Sequence, residues 1–401
     1  MTGKKKNSYL IPGFQFSGIS GGIKKDGARD LGLIHSDTIA AVSGVFTTNI
    51  VKAAPVLLDM ERIREGRAQT ILVNSGNANA CTGKKGIENA RLLTDLVADE
   101  LEIDRDLVLV SSTGVIGQPL PMDRIVKKIP KAVQELSPHG INSLAEAIMT
   151  TDTRPKIEAE TVSIDSKDVR ICGVAKGAGM IHPRMATMLA FVVSDVSIES
   201  ETLDAMTREG ADRTFNRVTI DGDTSTNDTL LVLANGRGGN RLIKNSSPPG
   251  LLFREKLWAV MERLSKKLIE DAEGGTKCVE ILVRRAPTER DALQVAFSIA
   301  HSPLVKTAFF GEDINWGRIL CAAGYSGVVL DPGKMDLFLN DVQIVKNGVG
   351  CGKEAERQAT MAMKKRSFTV TLELGLGAGE ASVVTSDLST DYVRINGSYR
   401  S

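Results

Sequence analysis

The sequence predicts a layered α/β protein with mixed sheets, on three observations. Short β-branched runs bounded by Gly or Asn read as strands, longer segments with helical periodicity lie between them, and strands return in the C-terminal third. Strands both early and late, with helices interspersed, fit packed layers better than one parallel sheet.

Taken in order, the early strands are 39–46, 70–73, 107–110, 169–174 and 188–196, each rich in apolar and β-branched residues. Helical periodicity covers 88–101, 124–136, 203–215, 251–271, 290–301 and 355–365. Ser200 with Glu201 is a weak start signal for the third helix, and Pro248 with Pro249 bars helix before Leu251. The late strands are 277–284, 335–345, 367–373 and 380–386, with Asn340-Asp341 as a two-residue hairpin turn. No long repeat and no low-complexity linker interrupts them.

Composition narrows the function classes. A chain of 401 residues is long enough for two domains or one large one. Lys plus Arg total 50 and Asp plus Glu 49, a balance of 50 − 49 = +1 that gives no support to a nucleic-acid or polybasic membrane binder. The apolar runs fall short of the roughly 18 residues that a bilayer span needs. Lys4, Lys5 and Lys6 are followed by no apolar stretch, so no secretory signal is readable and the cytoplasm is the expected location. Aromatics make up 4% and glycines number 38, which points to close backbone approaches rather than a core of rings. Five cysteines without metal-ligand spacing are expected mostly as buried thiols.

Two motifs fail on inspection. Residues 348–353 look like a phosphate loop, but Asn347 and Glu354 stand where Gly and a hydroxyl residue are required. The carboxylate-rich DGDTSTND at 221–228 could hold a hard cation or form a turn tied by its own side chains, and it lacks the glycine and glutamate spacing of a calcium loop.

The unusual stretch is KGAGMIHPRMATML at 176–189. Thr187 there reads either as an ordinary β-branched strand start or as a nucleophile exposed by self-cleavage between Ala186 and Thr187. After such a cut Thr187 carries a hydroxyl and its own α-amine. An amine with a pKa of about 7.7 to 8.0 can take the hydroxyl proton near neutral pH, so one residue supplies nucleophile and base. That economy suits a chain with four histidines.

This stretch resembles the cleavage-site signature of the ornithine acetyltransferase (glutamate N-acetyltransferase) family, of the form KGxGMIxPxMATML. Further similarity runs through FTTN at 46–49, AAPV at 53–56, NSGNANA at 74–80, SSTGVIG at 111–117, TDT at 151–153, DGDTSTND at 221–228, EGGTK at 273–277 and DYVRIN at 391–396. The resemblance implies an αββα sandwich, two sheets facing one another between helices, of the self-cleaving N-terminal-nucleophile type. It implies an N-terminal piece 1–186 and a C-terminal piece 187–401, assembled as two copies of each, and no metal or cofactor. The implied reaction moves the acetyl group of N2-acetylornithine to glutamate through an acetyl-Thr187 intermediate. Thr187 is then the nucleophile and Thr113 and Gly114 the oxyanion hole, while Thr153, Lys176, Glu273, Asn396 and Ser401 contact substrate.

Some members of that family also accept acetyl-CoA, and the two-donor form is the expectation here. The alternatives are a donor range limited to acetylornithine, or a Thr-nucleophile amidase or aminopeptidase in which water replaces the amino-acid acceptor. Chemistry accommodates the implied roles. Gly114 would let backbone approach the substrate, Lys176 suits a carboxylate, and Glu273 suits an ammonium or is simply an acid beside a helix-ending glycine.

Overall fold

Apolar runs assemble two mixed sheets among the described residues. The computed structural model describes residues 9–182, 188–244 and 247–398. They divide into two units, the first holding the described residues of 1–180, 184–216 and 224–268, the second those of 181–183, 217–223 and 269–401.

The strands are β1 (Phe14–Ile19), β2 (Leu31–Phe46), β3 (Arg67–Asn77), β4 (Val108–Val115), β5 (Lys156–Ile164), β6 (Lys167–Lys176), β7 (Leu189–Ser194), β8 (Val218–Thr219), β9 (Thr229–Ala234), β10 (Cys278–Ala286), β11 (Asp336–Leu339), β12 (Val342–Lys346), β13 (Val349–Gly350), β14 (Ser367–Glu373) and β15 (Gly379–Ser386). The helices are α1 (Ala54–Arg62), α2 (Gly83–Leu101), α3 (Met122–Ile125), α4 (Ile129–Gln134), α5 (Ile141–Ile148), α6 (Ser200–Arg213), α7 (Pro248–Glu270), α8 (Glu289–Ala300), α9 (Pro303–Phe310), α10 (Trp316–Gly324), α11 (Lys353–Met363) and α12 (Thr390–Gly397).

In the first unit the sheet order is β4-β3-β2-β9-β7-β6-β5, with β1 also on β2. β3 runs parallel to β4 and β7 parallel to β9. Every residue of β7 and β9 is buried because helices cover both faces. Leu230 and Val232 pack with Leu203 of α6 and Phe253 and Leu257 of α7, whereas Leu231 and Leu233 pack with Ile141 and Leu144 of α5. Each such side chain contributes about 1.5 to 3 kcal/mol by burial.

In the second unit the order is β13-β12-β11-β14-β10-β15-β8. β14 alternates buried and part-exposed residues, so one face is apolar. Val279, Ile281, Val370 and Leu372 on that face meet Ala292, Val295 and Ile299 of α8. Thr288 starts α8 by accepting the Asp291 N–H, the side-chain cap that ends the preceding loop.

The layered α/β class expected from the sequence is therefore present, and several details are corrected. Pro248 and Pro249 do not bar helix; they open α7, where a first-turn proline has no hydrogen bond to lose. Glu199, not Ser200, holds the cap position of α6 and makes no side-chain cap bond. The 124–136 helix is broken into α3, a 3-10 turn and α4, with Pro130 in the first turn of α4. The 335–345 strand is the β11–β12 hairpin, with Asn340 at φ 47° in the expected turn. Cys172 and Cys278 are buried, but Cys81, Cys321 and Cys351 are exposed on a loop, on α10 and in the turn before α11.

Candidate active site

Two parallel strands meet at a bulge near their C-terminal ends. β3 and β4 pair regularly to Gly76 and Gly114, then a bulge at Asn77 shifts the register. Gly114 sits there at φ 131°. A Cβ on it would lie 2.4 Å from the Gly76 carbonyl carbon and 2.5 Å from the Asn77 nitrogen, so only glycine fits. Asn227 ties this corner together, its Nδ2 donating to Ala78 O at 2.6 Å and Ser112 O at 2.8 Å. Nearby, Ala53 N–H donates to Thr226 O at 2.9 Å and Thr47 Oγ1 to Ser225 O at 2.7 Å. Motifs 46–49, 53–56, 74–80, 111–117 and 221–228 are distant in sequence and hydrogen-bonded together in the fold.

Lys176 ends β6 and is 3% exposed. Its Nζ donates to Thr113 Oγ1 at 3.1 Å and Thr150 Oγ1 at 2.7 Å. Asp152 supplies the counter-charge. Its Oδ1 accepts from Lys156 Nζ at 2.6 Å and from Gly177 N–H at 2.7 Å, and its Oδ2 from Thr150 N–H at 3.0 Å. Burial alone would raise its pKa, yet the Lys176 and Lys156 ammoniums and these hydrogen bonds hold it at about 2. Gly177, at φ 143°, turns the chain out of β6 so that its N–H meets that carboxylate.

The second unit holds another polar group of residues. Glu273 lies just beyond α7 and is 9% exposed; its Oε2 accepts from Asn396 Nδ2 at 2.8 Å. Tyr392 Oη donates to Asp221 Oδ2 at 3.0 Å, and burial with the Asp221 charge pushes that phenol well up. Asp221 Oδ1 accepts the Ile181 N–H at 2.9 Å, so this carboxylate serves as a turn anchor. Among the described residues, no group of three or more His, Cys, Asp or Glu could hold a metal ion.

The structure thus brings Thr113, Gly114 and Lys176 together, and Glu273 with Asn396. Thr153 is exposed beside the buried Asp152. Ala186, Thr187 and Ser401 lie outside the described residues. Sequence reasoning missed Asp152 and Thr150 as site residues. The Asp152–Lys156 spacing of four was readable, but nothing in the spacing links residue 152 to residue 176.

Residues 15–401 match the ArgJ family. The arginine biosynthesis bifunctional protein ArgJ of Geobacter sulfurreducens is 51% identical over 390 residues, covering 97% of this chain and 99% of that protein. The protein of that name from Syntrophotalea carbinolica is 49% identical over 97% of this chain and 99% of its own. Among solved structures, arginine biosynthesis bifunctional protein ArgJ from Bacillus halodurans is 37% identical with a TM-score of 0.50, covering 52% of this chain and 97% of that one.

Proposed function

The chain belongs to the ArgJ family, and from that premise we propose that it transfers an acetyl group from N2-acetylornithine to glutamate, with acetyl-CoA as a second donor. The bifunctional name of its relatives supports the two-donor form. The observation that carries the reading is the Thr113 hydroxyl, fixed by a buried Lys176 beside a glycine that admits no side chain.

Self-cleavage between Ala186 and Thr187 starts the enzyme and leaves pieces of 186 and 401 − 186 = 215 residues. β7 and β9 from the second piece lie between β2 and β6 of the first, so the cut pieces stay interlocked. Two copies of each piece form the assembly. No helix of the described residues is long and apolar enough to cross a membrane, and action in the cytoplasm belongs to the same reading.

In the reaction, Thr187 Oγ attacks the acetyl carbonyl while the Thr187 α-amine takes the hydroxyl proton. A hydroxyl that accepts from an ammonium turns its own hydrogen elsewhere, which leaves Thr113 free to donate to the oxyanion along with the Gly114 N–H. Each such donor is worth about 3 kcal/mol. Ornithine leaves, and the glutamate amine then takes the acetyl group from Thr187. Lys176, Thr153, Glu273, Asn396 and Ser401 serve substrate recognition, with Glu273 matched to an ammonium and Lys176 to a carboxylate. No cofactor takes part.

The test has two arms. Denaturing gels should show two bands, and a single 43.0 kDa band with full activity would exclude cleavage. Purified protein should form N-acetylglutamate from N2-acetylornithine, and again with acetyl-CoA as sole donor; no acetyl transfer from either sinks the proposal.

A further inference from the structure

The loop of residues 20–30, between β1 and β2, is folded around one carboxylate. Asp30 has no exposure to solvent; its Oδ1 accepts the Gly21 N–H, and its Oδ2 accepts the N–H groups of Ile23 at 2.6 Å and Lys24 at 2.7 Å. The Asp30 carbonyl accepts the Ser75 N–H at 2.9 Å, which joins the loop to β3 one residue before Gly76. Both oxygens of this carboxylate are engaged by backbone, and the loop is fixed beside the β3–β4 corner.

Gly76 is where the loop meets that corner. A Cβ on Gly76 would lie 3.1 Å from Ile23 Cγ2 and 3.3 Å from Lys24 Cγ, and a Cβ on Gly114 would lie 2.7 Å from Gly76 Cα. The two glycines are paired in register, so the close approach runs from the Lys24 stem through bare backbone to Gly114.

The Lys24 side chain is half-buried and makes no ion pair among the described residues. Its Nζ donates to the Arg29 carbonyl at 2.9 Å, and an ammonium has three N–H groups to give. Burial lowers its pKa, while the charges of Asp30, Asp26 and Asp152 act the other way. Asp152 is the carboxylate beneath Lys176, so the two ammoniums share one electrostatic neighbourhood. Asp152 is already bound to Lys156, and Asp30 to backbone. Lys24, Lys156 and Lys176 therefore outnumber the buried carboxylates Asp30 and Asp152, an imbalance that a bound anion would correct.

Glutamate carries two carboxylates and N2-acetylornithine one, so Lys176 alone leaves the second without a partner. We propose that Lys24 is a specificity-determining residue of the transferase site: its ammonium binds the side-chain carboxylate of the glutamate acceptor. The inference rests on the acetyl-transfer reading and adds the residue that tells glutamate from a neutral amino acid of the same length.

The test uses full-length wild type, Lys24→Met and Lys24→Arg, with N2-acetylornithine as donor and glutamate or glutamine as acceptor. Met keeps the stem against Gly76 and removes the charge, whereas Arg keeps the charge. Expected in Lys24→Met is a KM for glutamate raised about 10- to 100-fold, the range for a lost hydrogen bond to a charged group, with the KM for N2-acetylornithine raised no more than about three-fold. The wild-type preference for glutamate over glutamine should shrink by the same factor, because glutamine has no charge to lose. Lys24→Arg should recover most of that preference. Titration calorimetry with glutamate as the ligand reads the same loss without turnover.

A wild-type KM for glutamate and an unmoved glutamate-to-glutamine preference in Lys24→Met overturn the proposal. Equal losses toward glutamate, glutamine and N2-acetylornithine also overturn it, by making Lys24 a support of the corner and nothing more. If wild type binds glutamate but transfers no acetyl group, the transferase reading fails while calorimetry on Lys24→Met still decides for or against Lys24. Should Lys24→Met not fold, Lys24→Gln carries the same readouts with the same deciding outcomes.

Discussion

Lys176 Nζ and Thr113 Oγ1 are 63 residues apart in sequence and 3.1 Å apart in the interior, joined by a hydrogen bond. An ammonium fixing a hydroxyl makes the two act as one group, so their effects should not multiply. Thr113→Val should lower kcat by about 10² to 10³, the range for a lost oxyanion donor, with KM little changed. Lys176→Met should lower kcat/KM, and the double variant should be barely worse than the more damaging single one. Steady-state kinetics of the four proteins checks this; multiplicative losses would separate the two roles.

Gly114→Ala tests the backbone half of the same corner. Its Cβ would stand 2.4 Å from a backbone carbon at a φ of 131°, so β3 and β4 must move apart. The expected cost is about 1 to 3 kcal/mol of stability, with kcat down about 10²-fold because the N–H leaves its place. Thermal melting and kinetics read both. An unaltered kcat would show that the Gly114 N–H does not contact the reacting carbonyl.

Asp152→Asn addresses the charge beneath Lys176. Removing the carboxylate leaves Lys156 Nζ and its neighbour Lys176 buried without their shared anion. Breaking a buried pair this way costs about 3 to 5 kcal/mol. The native pKa of about 2 lies below the ordinary value of 3.8. Asp152 therefore stabilises the fold in full above pH 3.8, and that contribution disappears as the pH falls through 2. Acid unfolding of wild type and variant should converge at the low end and diverge toward neutrality; parallel curves would contradict the pairing.

Much of this corner was legible because its residue types are constrained by chemistry. SSTGVIG and KGAGMI mark a glycine where only glycine fits and a lysine that is buried. β14, an alternating strand, was read to its ends. β9 was missed although TLLVLA is apolar after Thr229 and buried throughout, because a strand buried on both faces has no alternation to distinguish it from a short helix segment. Asp152 and Asn227 were seen only as members of motifs. Their roles depend on which backbone groups lie within about 3 Å, and contacts across 25 to 149 residues leave no periodic trace.

A pH test reaches the second unit, where His182 Nδ1 and His301 Nε2 stand 3.2 Å apart and His301 Nε2 is 3.1 Å from Thr219 Oγ1. Burial, then the charges of His182 and Lys306, lower the His301 pKa to about 4 from an ordinary 6.5. Between pH 6.5 and 4 the unfolded chain binds more protons at this site than the native one, so native stability falls as the pH drops through that window. Above pH 6.5 the contribution is complete, and below pH 4 no further loss comes from this group. Screening of the half-buried ring leaves an effect on the order of 2 kcal/mol. His301→Gln cannot take up that proton, and its amide can still reach Thr219. Its Tm should therefore fall less between pH 7 and pH 5 than that of wild type, by a few degrees. Equal falls in the two proteins would mean that His301 titrates near its ordinary value and that the histidine pair is no acid-sensitive element.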